Sequence, residues 1–284
     1  MRTINFLRYP GGKSKVIDRI MPSLSDIVDV RGLYGEPFVG GGSVALAVAT
    51  TFPGVSLWLN DLDANVASVW KAMRRRRQAE EVIRVLESWR PSVALFRQLQ
   101  KSSPSKTVDR AARFVALNRM AFSGKAHTTP IGGWDQGGRW KIDAEWRIDH
   151  VASNIRLAAA VLSEHQVRVT SLPFNRVLDH RYALYLDPPY YHRGSHMYPT
   201  WMGTSEHADL ARWLRQHPAW VLSYDDCPEI LSLYKKWARV RRLTWTYSTN
   251  VGANLPGNEL IITRKRTSNS RLVRGVARRV PPKT

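Results

Sequence analysis

The stretch Gly32-Leu33-Tyr34-Gly35-Glu36-Pro37-Phe38-Val39-Gly40-Gly41-Gly42-Ser43 decides the fold class. Its first half is typical of a short buried strand, and its second half is a glycine-rich turn. Alanines, valines and a leucine that favour a helix follow from residue 43 to residue 51. Because glycine has no Cβ, such a turn lets a ligand approach the backbone and the amides at the start of the helix.

A second strand with an acidic end follows the first unit. Residues 55–59 are apolar and end at Asn60-Asp61, and Asp63 is a suitable N-cap for a helix to about residue 75. The order of strand, glycine loop, helix, strand and helix indicates half of a doubly wound α/β fold. An acid in the position of Asp61 suits the ribose hydroxyls of an adenosine-containing cofactor. The chain lacks the GxGxxG spacing and a Walker lysine, which disfavours dinucleotides and nucleoside triphosphates.

The middle of the chain has a different pattern. Helical periodicity runs through residues 79–89, 92–99 and 108–121, and a long glycine-containing stretch follows at 123–143. Strands are predicted again near 167–169, 182–186, 220–224, 241–247 and 259–263, with a helix at 206–216. We therefore predict a discontinuous α/β domain (1–73 and 150–266), an inserted helical lobe (74–149) and a basic, disordered tail (267–284).

The tetrad Asp187-Pro188-Pro189-Tyr190 follows directly after the predicted strand at 182–186. Two prolines stiffen the backbone and remove two amide donors, which leaves nearby carbonyls free to accept. The Asp187 carboxylate and the Pro188 carbonyl can together accept both hydrogens of a base's conjugated amine. That arrangement favours a tetrahedral nitrogen whose lone pair can take an electrophilic methyl group. Tyr190 offers a flat face for a base that has left the duplex.

Composition indicates a polyanionic partner. The 284 residues carry a formal net charge of +20, which favours nucleic acid over an anionic membrane surface. A single cysteine, Cys227, excludes an internal disulfide framework and a cysteine-based zinc site. No apolar run is long enough for a membrane span, and residues 1–8 do not resemble a signal peptide. We expect a cytoplasmic protein that needs neither a membrane nor a metal.

Several short motifs together resemble one known family over nearly the whole chain. They are Phe6-Leu7-Arg8-Tyr9-Pro10-Gly11-Gly12-Lys13, Glu36 to Ser43, Asn60-Asp61, Phe114-Val115-Ala116-Leu117-Asn118-Arg119 with Phe122 and Gly124, Asp187 to Tyr190, Leu222-Ser223-Tyr224 and Asn258-Glu259-Leu260-Ile261-Ile262. In sequence and order they resemble the Dam-type (class alpha) N6-adenine-specific DNA methyltransferases of bacteria and phages. The resemblance implies a Rossmann-like, S-adenosylmethionine-dependent methyltransferase sheet with helices on both faces, and it makes the inserted helical lobe at 74–149 the target-recognition lobe.

The resemblance also implies roles for individual residues. The methionine end of S-adenosylmethionine would contact Tyr9 and Lys13, with Lys13 near its carboxylate. Phe38 would line the pocket, Asp61 would bind ribose and Phe174 would stack on the adenine ring. The remaining cofactor contacts implied are Glu36, Gly40, Gly42 and Asp187, and the catalytic residues are Asp187, Pro188, Pro189 and Tyr190.

One position departs from the family pattern. The family usually has Asp-Phe after the strand near residue 169, and its aspartate holds the adenine amine of the cofactor. This chain has Ser171-Leu172-Pro173-Phe174 instead, so that carboxylate is missing. Losing one charged hydrogen bond would weaken cofactor binding by ~1–3 kcal/mol. Ser171 or a backbone carbonyl is the expected substitute.

Basic and polar residues are predicted to contact double-stranded DNA. Phosphate contacts give affinity without sequence information. The residues predicted to contact DNA are Arg74, Arg75, Arg76, Arg77, Asn118, Arg119, Lys125, His127, Arg139 and Arg193, together with the tail. Base edges are expected to be read from 123–143, where Thr128 and Gln136 also lie. Trp134 and Trp140 either stack on bases or fasten the loop to the lobe.

Other functions stay open at this stage. The tetrad chemistry also suits the N4 amine of cytosine or adenine in RNA, whereas protein glutamine methylation is disfavoured because asparagine would be expected at Asp187. A DNA-binding protein with a decayed cofactor pocket is the alternative that is not an enzyme. The sequence leaves open the target site, hemimethylated preference, a monomeric or weakly dimeric state, and a role in restriction protection or phage modification.

Overall fold

A seven-stranded sheet forms the centre of the chain. The computed structural model describes residues 4–9, 11–192, 201–246 and 256–265, so Arg193 and the tail from 267 to 284 lie outside the described residues. The strand order is β3-β2-β1-β4-β5-β7-β6. The strands are β1 (Leu33–Glu36), β2 (Ser56–Asn60), β3 (Val167–Thr170), β4 (Ala183–Leu186), β5 (Trp220–Asp225), β6 (Ala238–Thr246) and β7 (Pro256–Arg264).

The first five strands are parallel, and β7 lies antiparallel between β5 and β6. Parallel strands place their carboxyl ends at one edge, which is where ligands bind in open α/β sheets. The predicted doubly wound fold is confirmed. The antiparallel insertion of β7 was not predicted, because it pairs residues far apart in sequence.

Helices cover both faces of the sheet. The helices on one face are α1 (Ile17–Arg31), α2 (Ser43–Thr51), α3 (Ala64–Met73), α4 (Arg76–Ser88), α5 (Val93–Lys101), α6 (Thr107–Met120) and α7 (Ile148–Ser163), and those on the other are α8 (Thr204–Gln216) and α9 (Pro228–Tyr234). Alternation along β4 shows the two faces: Tyr185 packs into the first core, and Leu184 and Leu186 pack into the second.

Helices α4, α5 and α6 lie in the segment that was predicted to be an insertion. Helices α4 and α6 pack on α3, α4 also packs on α7, and α5 packs on α6. Their buried residues belong to the same hydrophobic cluster as β1 and α2. The insertion therefore shares its core with the sheet, while the boundaries at 74 and 149 stay a prediction. The side chain of Asp63 caps α3 by accepting from the Asn65 amide, as predicted. In the described part of the chain, no helix is long and apolar enough to cross a bilayer.

Candidate active site

A cavity of about 990 Å³, counting its open mouth, lies at the carboxyl edge of the sheet. Every residue that the sequence assigned to the cofactor lines it: Tyr9, Lys13, Glu36, Phe38, Gly40, Gly42, Asp61, Phe174 and Asp187. Pro189 of the tetrad lines the same space. The glycine loop and the tetrad, which are distant in sequence, therefore share one cavity.

The glycine loop is wedged between two aromatic rings. Gly42 has φ +62°, and a Cβ there would lie 2.2 Å from the Trp70 ring. The Trp70 indole nitrogen donates to the Gly40 carbonyl at 2.9 Å, which fixes the ring against the loop. A Cβ on Gly40 would lie 2.6 Å from the Tyr9 ring. Glycines are therefore required here by contact as well as by conformation. Trp70 was not recognised from the sequence, where it is one apolar residue in a helix.

Two buried acids face the cavity. Burial raises the pKa of Glu36 to about 8, although its carboxylate accepts from the Tyr34 hydroxyl at 2.5 Å. Burial likewise raises the pKa of Asp61 to about 7, against the stabilising effect of amide donors from Gly40 and Asp63 at 2.9 Å each. Each of the accepting oxygens keeps a second lone pair. The site is therefore suited to a ligand that brings positive charge or hydroxyl donors.

Asn60 joins the loops that follow three neighbouring strands. Its amide nitrogen donates to the carbonyls of Pro37 and Leu172, both at 2.9 Å. Its oxygen accepts from the Thr170 hydroxyl at 2.7 Å and from the Leu172 amide at 3.0 Å. With four bonds from one buried side chain, Asn60 braces the cavity wall and is not available to a ligand.

Phe38 and Phe174 form an aromatic wall of the cavity, with ring centroids 5.7 Å apart. Pro173, the departure from the family pattern, lies beside them. Ser171 does not line the cavity, and the hydrogen bond from its hydroxyl to the Leu62 carbonyl at 3.1 Å holds it there, so it is not positioned to replace the missing acceptor. Asn175 does line the cavity and has an amide oxygen that can accept.

The tetrad begins where β4 ends. Asp187 is oriented by two donors: the Ser223 hydroxyl at 2.8 Å on Oδ1, and the Lys13 ammonium at 2.7 Å on Oδ2. A carboxylate has about four acceptor positions, so Asp187 can still accept from an amine. The Tyr191 amide donates to Asp225 at 3.1 Å and ties the chain after the tetrad to β5.

Lys13 is buried, and all three of its hydrogens have acceptors. These are the Gly11 carbonyl and Asp187, both at 2.7 Å, and Glu259 at 2.9 Å. The resemblance implies that Lys13 pairs with the cofactor's carboxylate; such a pairing would require one of these bonds to break, and it stays a prediction. In this arrangement Lys13 orients Asp187. Glu259 has no counterpart among the predicted site residues.

Asn118 and Arg119 are not DNA contacts in this structure. Asn118 is fully buried, where it accepts from the Arg8 amide at 2.8 Å and donates to the Gly124 carbonyl at 2.7 Å. Arg119 is also buried, and it donates to the Glu145 carbonyl at 2.7 Å. Both side chains therefore hold the loop after α6, which corrects the prediction that they touch DNA.

The arginine run from Arg74 to Arg77 lies at the opposite end of the sheet from the cavity. Arg74 donates at 3.0 Å to the carbonyl of Val167, which is the first residue of β3, whereas the cavity lies beyond the last residue of that strand. Arg76 pairs with Glu164 at 2.8 Å and Arg77 with Glu81 at 3.1 Å. These arginines do not border a base placed at Asp187, and their contact with DNA phosphates stays a prediction.

The loop after α6 presents aromatic side chains to solvent. Phe122 is 63% exposed and Trp140 is 56% exposed, with the Arg139 guanidinium 5.4 Å from the Trp140 ring. Trp134 instead packs edge-on against Phe96 at 5.8 Å, which favours its role as a fastener. Of the predicted readers, His127 and Arg139 are exposed and Lys125 is half-buried. Gln136 makes three bonds within the loop and is not free to read bases.

A group that could hold a metal lies beside the tetrad in the described part of the chain. It consists of His192, Cys227 and Glu229, whose donor atoms lie within 4.8 Å of one another. His192 already contacts Glu229 at 3.1 Å. Burial raises the pKa of Cys227 to about 11, which disfavours the thiolate that binds metals.

The fold and the tetrad together define an enzyme that methylates the amino group of a nucleic-acid base. The chain belongs to the D12 class of N6 adenine-specific DNA methyltransferases, whose family model matches residues 9–249. It is also 22% identical over 205 residues to the Type II methyltransferase M.MjaIII of Methanocaldococcus jannaschii, a match that covers 65% of this chain and 68% of that protein. The protein is an adenine-specific DNA methyltransferase, as the sequence predicted.

Proposed function

We propose that the protein transfers the methyl group of S-adenosylmethionine to N6 of an adenine flipped out of double-stranded DNA, and that the transfer takes place at Asp187–Tyr190. The observation that carries this proposal is the position of Asp187. Its carboxylate is held by Ser223 and Lys13 on the wall of the cavity that also contains the glycine loop.

The cavity fits this cofactor in shape and charge. When bound, S-adenosylmethionine supplies an electrophilic methyl group on a cationic sulfonium. The Phe38 and Phe174 rings suit its adenine, the Asp61 carboxylate suits its ribose hydroxyls, and Glu36 suits its cationic methionine end. A Cβ on Gly40 or Gly42 would overlap the Tyr9 or the Trp70 ring, so the loop that borders the cavity keeps this shape only with glycine at both positions.

Asn175 is our candidate for the acceptor that Pro173 cannot provide. It lies one residue after Phe174 and lines the cavity. An amide oxygen accepts a hydrogen bond from the cofactor's adenine amine as a carboxylate does, but without the charge. A neutral acceptor contributes roughly 0.5–1.5 kcal/mol, compared with roughly 1.5–3 kcal/mol for a charged one.

The tetrad acts on the substrate amine through acceptors and a stacking face. Asp187 and the Pro188 carbonyl accept hydrogen bonds from the two N6–H groups, which draws the nitrogen lone pair out of the ring's conjugation. As the N6–CH3 bond forms, the sulfonium's S–CH3 bond breaks and one N6 proton is released. Ser223 and Lys13 keep the carboxylate in that orientation. Tyr190 stacks on the extruded base, as base-modifying enzymes require a pocket outside the duplex.

Phe122 is our candidate for a side chain that supports an opened duplex. It sits on a short 3-10 turn (Phe122–Gly124) in which Ser123 has a positive φ of 54°. Asn118 joins this turn to Arg8, the residue before Tyr9 of the cavity wall. An exposed apolar side chain beside the pocket can insert between bases and fill the space of the extruded one. The double-stranded substrate, a monomeric or weakly dimeric state and a cytoplasmic location stay predictions.

Cofactor binding without DNA tests the proposal. S-adenosylmethionine is titrated into wild-type protein, Asp61→Asn and the control Asp209→Asn, whose carboxylate is exposed on α8. We expect saturable binding by the wild type and the control, and affinity about tenfold or more lower in Asp61→Asn. Absence of binding to the wild type, with DNA binding retained, would support the decayed-pocket alternative.

A further inference from the structure

Glu259 is a second carboxylate in the active site, and it comes from a distant part of the chain. Strand β7 runs antiparallel to β5, with Glu259 opposite Asp225. Only 1% of the residue is exposed. Because β7 lies between β5 and β6 in the sheet, it brings the Glu259 side chain to the tetrad. The local sequence around Glu259 does not predict this position.

One carboxylate oxygen of Glu259 contacts both Tyr190, the last residue of the tetrad, and Lys13, which contacts the first. Oε1 accepts from the Tyr190 hydroxyl at 2.5 Å and lies 2.9 Å from Lys13 Nζ. The Lys13 ammonium is in turn 2.7 Å from Asp187 Oδ2. Glu259 is thus connected directly to the stacking ring, and through one lysine to the carboxylate that receives the amine.

We propose that Glu259 is a positioning residue for methyl transfer, holding the Lys13 ammonium against Asp187 and the Tyr190 ring against the incoming adenine. This inference rests on the proposed function of the tetrad. Glu259 itself touches neither the base nor the methyl group. A misplacement of either reacting group by about 1 Å is enough to slow a reaction about a hundredfold.

Charge explains why a carboxylate is needed at this position. Burial lowers the pKa of Lys13, but Asp187, Tyr190, Glu259 and Tyr185 oppose it and leave the pKa above its ordinary value. Burial raises the pKa of Glu259 itself, and Lys13 lowers it. Removing the charge of Glu259 leaves Lys13 with one fewer counter-charge, and its pKa falls. A glutamine at 259 keeps an acceptor for Tyr190 but loses this effect.

The test compares Glu259→Gln with wild type and with Glu164→Gln, a control that removes an exposed carboxylate paired with Arg76. Single-turnover methylation is measured from about pH 6 to about pH 10, below the ordinary lysine pKa of ~10.4. We expect cofactor affinity to change less than about threefold and the methyl-transfer rate to fall about tenfold or more. The rate of the variant should also decline at the alkaline end, where the wild-type and control rates stay level.

A second variant keeps the inference testable if Glu259→Gln folds poorly. Tyr190→Phe removes only the hydroxyl that Glu259 holds, and we expect the methyl-transfer rate per folded molecule to fall in this variant too. The inference is overturned if Glu259→Gln loses activity only in proportion to its folded fraction with an unmoved pH profile, or if Tyr190→Phe retains the wild-type rate. Inactive wild-type protein would instead refute the proposed function.

Discussion

Replacing Gly42 by alanine tests whether the glycine loop is held against Trp70. Gly42 has φ +62°, and an added Cβ would lie 2.2 Å and 2.4 Å from two carbons of the indole. The indole is fully buried and bonded to the Gly40 carbonyl, so it cannot move aside without loss of that bond. Gly32, at the end of α1, is a matched control because its φ is +63° and nothing lies within 4 Å of its Cβ position.

The structure separates two contributions to the cost. The left-handed conformation costs an alanine ~1–2 kcal/mol at either position. Overlap with a fixed side chain adds roughly 1–3 kcal/mol, and this applies to Gly42 alone. We therefore expect Gly32→Ala to lower the free energy of unfolding by ~1–2 kcal/mol. Gly42→Ala should lower it by about 2–5 kcal/mol, the sum of both contributions.

Urea denaturation gives the two unfolding free energies, and calorimetric titration gives cofactor affinity. Because a shifted loop no longer fits the ligand, Gly42→Ala should also weaken S-adenosylmethionine binding about tenfold, whereas Gly32→Ala should leave it unchanged. Equal losses of stability in the two variants, together with equal affinities, would refute the packing of the loop on Trp70.

Three further predictions concern the cavity and the DNA side. In calorimetric titrations, Asn175→Ala should weaken S-adenosylmethionine binding about three- to tenfold, whereas Asn175→Asp should not weaken it. Unchanged affinity in the alanine variant would show that Asn175 is not part of the adenine site. Phe122→Ala should slow methylation of duplex DNA more than of single-stranded DNA without loss of stability, and an equal effect on both substrates would argue against insertion into the helix. Burial raises the pKa of Glu36 to about 8. The contribution of this shift to the free energy of unfolding is complete at pH values below the pKa of Glu36 in the unfolded chain, and it is lost as the pH rises through 8. Between the pKa of the unfolded chain and pH 8, the wild type should therefore lose up to ~1.4 kcal/mol of unfolding free energy per pH unit relative to Glu36→Gln, as measured by urea denaturation. Parallel curves of unfolding free energy against pH for the two proteins would contradict the raised pKa of Glu36.

Each part of the site that could be predicted from the sequence has a recognisable pattern within a few consecutive residues. The glycine loop, the Asp63 cap and the tetrad each combine special backbone residues with the end of a strand. Because the carboxyl ends of parallel strands meet at one edge, local motifs of this kind were enough to gather the cavity residues.

The parts that were missed depend on packing between distant segments. Trp70 and Glu259 each contact residues that no local pattern connects to them. Asn118 and Arg119 were assigned to the surface by residue type, but the end of α6 is buried on all sides, so periodicity offers no exposed face there. The position of Arg74 follows from the direction of α3, which carries the chain from the cavity edge to the opposite edge of the sheet.

The most direct test of the central claim is the identity of the methylated nucleoside. Unmethylated duplex DNA is incubated with labelled S-adenosylmethionine and wild-type protein, Asp187→Ala or Asp209→Ala, then digested to nucleosides that are separated. We expect label in N6-methyladenine for wild type and Asp209→Ala, and none for Asp187→Ala, which has no acceptor for the amine. Label in N4-methylcytosine, or equal labelling by Asp187→Ala, would contradict this expectation.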